Sequence, residues 1–200
     1  MSFLVTKPAP NFTATAVLAD NSFDEEFKLS SLRGKYVVLF FYPFDFSFVC
    51  PTEILAFDEA LEDFRSRDAE IVGVSVDSHY THAAWKRTPV DDGGIGPIRY
   101  PLVSDLTKEI ARDYGVLLDD GVALRGLFLI DREGIVRHAL VNDLPIGRSV
   151  SEALRVLDAL RFHELRGDVC TANWNEGDDG IAESHEGIVD YLSHYASGMD

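Results

Sequence analysis

Two hundred residues, 46% of them hydrophobic, suit one globular domain with a continuous core. Acidic residues number 34 against 18 basic ones, and the net charge of −16 speaks against nucleic acid or an anionic membrane surface as partner. No apolar run approaches the ~18 residues of a bilayer-spanning helix, and the opening MSFLVTKPAPNF lacks the basic region and apolar run of a signal peptide, which points to a cytoplasmic protein. Only five of the basic residues are lysine, so the surface fits either a high-salt cytoplasm or an ordinary acidic protein.

In chain order, residues 11–18 (NFTATAVL) alternate polar and apolar side chains, the pattern of an exposed strand. Residues 29–34 suggest a single helical turn ended by Gly34. Residues 36–43 (YVVLFFYP) are continuously apolar and β-rich, which predicts a buried central strand. A short loop then delivers Cys50, and 52–66 predict a helix with Ile54, Leu55, Phe57, Leu61 and Phe64 on its apolar face. Residues 70–77 form a second buried strand and 79–87 a helix closed by Pro89. The glycine-rich 91–97 (DDGGIGP) is no phosphate cradle, because it lacks Lys-Ser/Thr and precedes no helix. Residues 100–105 read as a short strand and 106–115 as a helix capped by Gly115. Residues 125–131 and 134–142 flank Asp131-Arg132-Glu133-Gly134 and make a β-hairpin. The helix over 149–165 opens with a serine cap and Glu152. Past Leu165 the chain turns polar, acidic and glycine-rich, which reads as an extended, mobile tail carrying Cys170, with a short helix over 188–196. The expected organisation is an α/β domain over 1–165, a thioredoxin-like fold with a mixed central sheet flanked by helices, and a C-terminal tail over 166–200.

Cys50 carries the most chemistry. Pro51 suits the first helical position, and Thr52 and Glu53 suit a first turn. The sulfur is therefore expected at a helix N-terminus, where free N–H groups and the helix dipole favour negative charge. The thiolate is the nucleophilic form of cysteine. Ser47 is placed to turn its hydroxyl toward the same pocket, and Pro43 to shield the sulfur from bulk water. Cys50 and Cys170 are too few for a disulfide scaffold and, taken alone, read as two free thiols.

PFDFSFVC (43–50) fits the spacing Pro, three residues, Thr or Ser, two residues, Cys that marks peroxiredoxins. FVCPTE (48–53) resembles the typical two-cysteine subgroup of that family. The resemblance continues through VDSH (76–79), YPL (100–102), ARDYGVL (111–117), LRGLFLID (124–131), NDLPIGRSV (142–150) and GDVC (167–170), in order and over nearly the whole chain. It implies a thiol-dependent peroxidase for hydrogen peroxide and small alkyl hydroperoxides, serving antioxidant defence and redox homeostasis. By that resemblance Cys50 would be the peroxidatic cysteine, oxidised to a sulfenic acid. Arg125 would hold the thiolate charged and donate to the developing oxygen charge. Ser47 would be a second donor to the peroxide, Pro43 a lid, and Glu53 and Arg148 supports that orient Arg125. Cys170 would be the resolving cysteine, closing a disulfide with Cys50 of the neighbouring subunit in a homodimer; rings of five dimers are frequent in the family. Thioredoxin or a flavoprotein disulfide reductase would return the electrons. No cofactor is expected in this chain, which has no dinucleotide fingerprint. Two departures stand out. Val-Cys-Thr replaces the frequent Val-Cys-Pro, and GGIG (93–96) resembles the loop of hyperoxidation-sensitive members while Tyr191-Leu192 stands where they have Tyr-Phe.

Other readings compete. A holdase chaperone or redox relay would be a binding protein formed by higher oligomers once Cys50 is oxidised. A general disulfide oxidoreductase lacks its Cys-X-X-Cys, since position 53 is Glu. His79 and His82 read as surface residues and complete no metal site. No histidine near Cys50 in sequence suggests a Cys-His protease dyad. Trp85 and Phe44 read as packing residues, with subunit contact as the other use. The acidic run from Glu176 to Glu186 reads as solvated.

Overall fold

The computed structural model describes residues 3–197, so residues 1–2 and 198–200 of the two expected segments lie outside it. The chain divides into two compact units, Met1–Val150 and Ser151–Asp200.

The first unit is built on a mixed sheet of seven strands among the described residues: β1 (Thr13–Val17), β2 (Phe23–Lys28), β3 (Tyr36–Phe41), β4 (Ala69–Ser75), β5 (Leu102–Ser104), β6 (Arg125–Ile130) and β7 (Val136–Asn142), in the order β2-β1-β5-β4-β3-β6-β7. β3 is central, as its unbroken apolar run predicts. It runs parallel to β4, with Leu39 opposite Val72, and antiparallel to β6, with Leu39 opposite Phe128. Alternate side chains of β3 serve the two faces of the sheet. On one face Phe41 meets Phe128 and Tyr114, beside Ile110 and Ala111 of the helix α4 (Glu109–Asp113). On the other, Phe40 stacks on Phe57 of α1 (Cys50–Glu59) at 4.7 Å, Phe57 meets Phe64 of α2 (Leu61–Ser66), and Tyr42 meets Trp85 of α3 (His79–Arg87). This is the thioredoxin-like α/β layering expected from the order of elements.

Three elements differ from expectation. The strand over 11–18 is internal, with Ala16 and Val17 buried, because β2 covers its outer side. The charge-rich FDEEFK of β2 buries only Phe27, which is why its strand period is faint in the sequence. The helix over 52–66 is two helices that meet at Ala60 (φ −86°, ψ 4°), and it begins at Cys50 itself.

The second unit comprises α5 (Val150–Arg166), an irregular loop and α6 (His185–Ser197). α5, assigned by sequence to the first domain, groups with the C-terminal segment. The loop is not the extended tail that its polar composition suggests. Val169 and Ile181 pair through backbone hydrogen bonds of 2.9 and 3.0 Å, and the buried Trp174 packs its ring on Phe162 with centroids 4.9 Å apart. The Trp174 indole donates to Asp178 O, and Arg155 donates to Trp174 O. One aromatic side chain thus closes a segment otherwise made of acids and glycines.

Candidate active site

β3 ends at Phe41, and residues 42–49 carry the chain to the start of α1. The Thr52 and Glu53 N–H groups donate to Val49 O at 3.1 and 3.3 Å, which closes the first turn with Cys50 as its first residue. Cys50 is a free thiol with no solvent exposure.

Three buried charged side chains surround it. Arg125, first residue of β6, places Nη1 3.4 Å from Cys50 Sγ and 2.6 Å from Glu53 Oε2. Its Nε donates to Leu144 O at 2.6 Å, which fixes the plane of the guanidinium. Glu53, one turn into α1, receives Arg148 through Nε and the backbone N–H at Oε1 (2.7 and 2.8 Å) and through Nη2 at Oε2 (3.0 Å). Arg148 Nη1 spans to Phe41 O and Gly126 O, and its guanidinium lies over the Phe40 ring. Burial pulls the Arg148 guanidinium below its ordinary value, and Glu53 opposes that. Two guanidiniums and one carboxylate leave a buried surplus of one positive charge. Such a surplus is costly unless it is paired. Cys50 Sγ is the remaining group in contact with Arg125, 3.4 Å from its Nη1.

The structure thus brings together Cys50, Glu53, Arg125 and Arg148 from α1, β6 and the approach to α5. Pro43 is buried on the loop before Cys50. Ser47 is half-buried, and its hydroxyl proton goes to Phe44 O at 2.8 Å, which tightens the loop instead of reaching for the sulfur. Cys170 lies in the second unit, half-buried, with its thiol donating to Ala159 O at 3.4 Å. Burial pushes this thiol up from its usual range, with Arg155 opposing.

Sequence reasoning passed over the orienting carbonyls of Leu144, Phe41 and Gly126, which carry no side-chain signal. It also misplaced His82. That residue is fully buried against Asp45 and is not a surface histidine. Its neighbours Ala83 and Trp85 mark the buried stretch of α3, and they were the available clue. Trp85 is a packing residue as expected, while Phe44 is 44% exposed.

Comparisons with known proteins find similarity over nearly the whole chain. The AhpC/TSA family model matches residues 5–139, and a model for the C-terminal domain of 1-Cys peroxiredoxin matches residues 159–194. Alkyl hydroperoxide reductase C of Helicobacter pylori is 54% identical over 190 residues, covering 94% of this chain and 96% of the relative. Peroxiredoxin-2 of Rattus norvegicus is 53% identical over 192 residues, covering 96% of each chain. The crystal structure of reduced Plasmodium vivax 2-Cys peroxiredoxin superposes with a TM-score of 0.94 at 55% identity, over 96% of this chain and 100% of that one.

Proposed function

This chain belongs to the AhpC/TSA family and is a peroxiredoxin, a thiol-dependent peroxidase; from that premise we propose that Cys50 is the sulfur oxidised by peroxide and Cys170 the one that resolves it. The observation that carries the assignment is the 3.4 Å contact of Arg125 with Cys50 inside a buried cluster of net positive charge. The Cys50 thiolate attacks the terminal oxygen of H₂O₂ or a small alkyl hydroperoxide. An S–O bond forms as the O–O bond breaks. The terminal OH stays on sulfur as the sulfenic acid, and hydroxide or alkoxide leaves and takes a proton from solvent. Sulfur loses two electrons and the peroxide gains them. Arg125 stabilises the thiolate and, in the transition state, the charge on the departing oxygen. Glu53 and Arg148 are positioning residues that hold Arg125 at that distance. Pro43 shields the pocket, and Ser47 donates to peroxide once its hydroxyl turns from Phe44 O.

The second step condenses the sulfenic acid with the Cys170 thiol, releasing water and forming the disulfide. Bond formation needs the two sulfurs ~2.05 Å apart, so the buried Cys50 sulfur must leave its pocket. Cys170 comes from the neighbouring subunit of a homodimer, with rings of dimers as the larger assembly. A dithiol donor, thioredoxin or a flavoprotein disulfide reductase, restores both thiols by exchange. A thiol-based cycle of this kind suits a reducing compartment, and we place the protein in the cytoplasm. Among the described residues no helix is long and apolar enough to cross a membrane.

One equivalent of peroxide followed by non-reducing electrophoresis tests the reading. A covalent dimer is expected from the native chain and from neither Cys50→Ser nor Cys170→Ser. A covalent dimer that persists in either variant would overturn the pairing.

A further inference from the structure

A second buried polar cluster ties down the loop that delivers Cys50. Tyr42 and Asp45 belong to the 42–49 segment and His82 to α3, and all three are buried. The Tyr42 hydroxyl donates to Asp45 Oδ1 at 2.8 Å, and His82 Nδ1 lies 2.7 Å from Asp45 Oδ2. His82 Nε2 lies 3.2 Å from Val103 O of β5. A carbonyl oxygen only accepts, so Nε2 carries a proton. The Nδ1–Oδ2 contact must hold another, because an imidazole lone pair facing a carboxylate oxygen would leave two buried acceptors without a donor. The pair therefore shares one proton across that contact, whichever atom it sits on.

A second carboxylate braces the same turn. Asp77 Oδ2 accepts the Asp45 backbone N–H at 2.9 Å and the Ser75 hydroxyl at 2.8 Å. Burial pushes both the Tyr42 hydroxyl and the Asp45 carboxyl up from their usual ranges, which keeps Tyr42 a donor. Apolar contact holds the tip of this segment in part, with the Phe46 ring 5.7 Å from that of Trp85 in α3. Phe44, Phe46 and Phe48 are 44%, 51% and 95% exposed, while Asp45 between the first two points inward.

We propose that Asp45 and His82 are positioning residues for the peroxidase reaction, forming a proton-sharing latch that pins the Cys50 loop to α3 and β5. The inference rests on Cys50 as the reacting sulfur and Cys170 as its resolver. The two steps make opposite demands on the loop. Peroxide attack uses the sulfur beside Arg125, with the loop closed. Disulfide formation needs that sulfur out of its pocket. While the loop stays closed, a second peroxide can oxidise the sulfenic acid to sulfinic acid, giving up one oxygen and leaving as water or alcohol. The latch therefore divides sulfenic acid between disulfide and overoxidation.

Single-turnover kinetics of Asp45→Asn and His82→Gln, reading Cys50 oxidation and disulfide formation as separate phases, test this. Losing a charge-assisted hydrogen bond is expected to speed disulfide formation about tenfold, to slow oxidation, and to lower the sulfinic Cys50 counted per turnover by mass spectrometry. Tyr42→Phe, which keeps the ring, should move each quantity the same way by less. Both phases unchanged, or both slowed by one factor, would overturn the proposal. If the Asp45 and His82 variants do not fold, NMR of the ¹⁵N-histidine-labelled native chain decides. A protonated Nε2 and a strongly downfield, slowly exchanging proton in the Nδ1–Oδ2 contact are expected, and an unprotonated contact would overturn the latch. The same spectrum can be read in Cys50→Ser. Failure of the latch is thus distinguishable from failure of the Cys50 assignment, which would show as peroxide consumption surviving in that variant.

Discussion

Cys50 and Cys170 occupy opposite kinds of site. Cys50 is enclosed at the first turn of α1, with a guanidinium 3.4 Å away and two further charged side chains behind it. Cys170 lies half-exposed on an irregular loop, donating its proton to Ala159 O, with burial holding that proton on against the pull of Arg155. A sulfur that must attack peroxide needs its charge before the substrate arrives. A sulfur that must wait for the sulfenic acid is better kept protonated and accessible. The proposed division of roles between the two cysteines rests on this difference in charge and exposure around them.

The comparison breaks most sharply if the sulfurs are exchanged for oxygen. Cys50→Ser should abolish peroxide consumption, whereas Cys170→Ser should keep the first oxidation and lose the disulfide; an assay of peroxide loss beside the electrophoresis reads both. Glu53→Gln comes next, because it leaves two buried guanidiniums without their carboxylate. Removing one member of a buried ion pair costs about 3–5 kcal/mol, and urea unfolding of the variant measures it. Arg125→Ala should slow Cys50 oxidation about 10²–10³-fold, as for other preorganised donors. Stopped-flow rates equal to the native chain's would remove Arg125 from the mechanism.

Smaller effects sharpen the Cys170 side. Trp174→Ala should loosen the loop that holds Cys170, raising amide exchange between Val169 and Ile181 while leaving the rate of Cys50 oxidation as it was. Disulfide formation draws on the Cys170 thiolate, so its rate should climb with pH. Arg155 pulls that thiol down, so Arg155→Ala should move the profile toward alkaline pH. The pair is half-exposed and partly screened, and the shift should be modest and shrink with added salt.

Much of the site was legible from local signals. YVVLFFYP, continuously apolar and β-rich, reads as a buried strand, which the structure places at Tyr36–Phe41, and Cys-Pro-Thr-Glu after a short loop reads as a helix start, so the sulfur's place at a helix N-terminus followed from neighbouring residues. Glu53, Arg125 and Arg148 were pointed to by the resemblance to peroxiredoxins and not by any local signal of their own, and the structure gathers them beside Cys50. His82 was missed because the helical period of α3 says which positions share a face but not which face finds a carboxylate. Its partner Asp45 lies 37 positions away. Trp174 was missed for the same reason, since its acidic surroundings look like a tail until Phe162 is seen beneath it.

The amino-acid order alone determined the strands and helices that carry the site and the residue types able to do thiol chemistry, because backbone preference and hydrophobic period are set within a few residues. Tertiary structure decided which charges meet. The antiparallel register of β6 on β3 brings Arg125 to Cys50 across 75 positions, and Arg148 reaches Glu53 across 95. Coulombic and hydrogen-bond energies fall off over a few ångströms of space. The reactivity of the sulfur is therefore a property of folded distance, which no local pattern encodes.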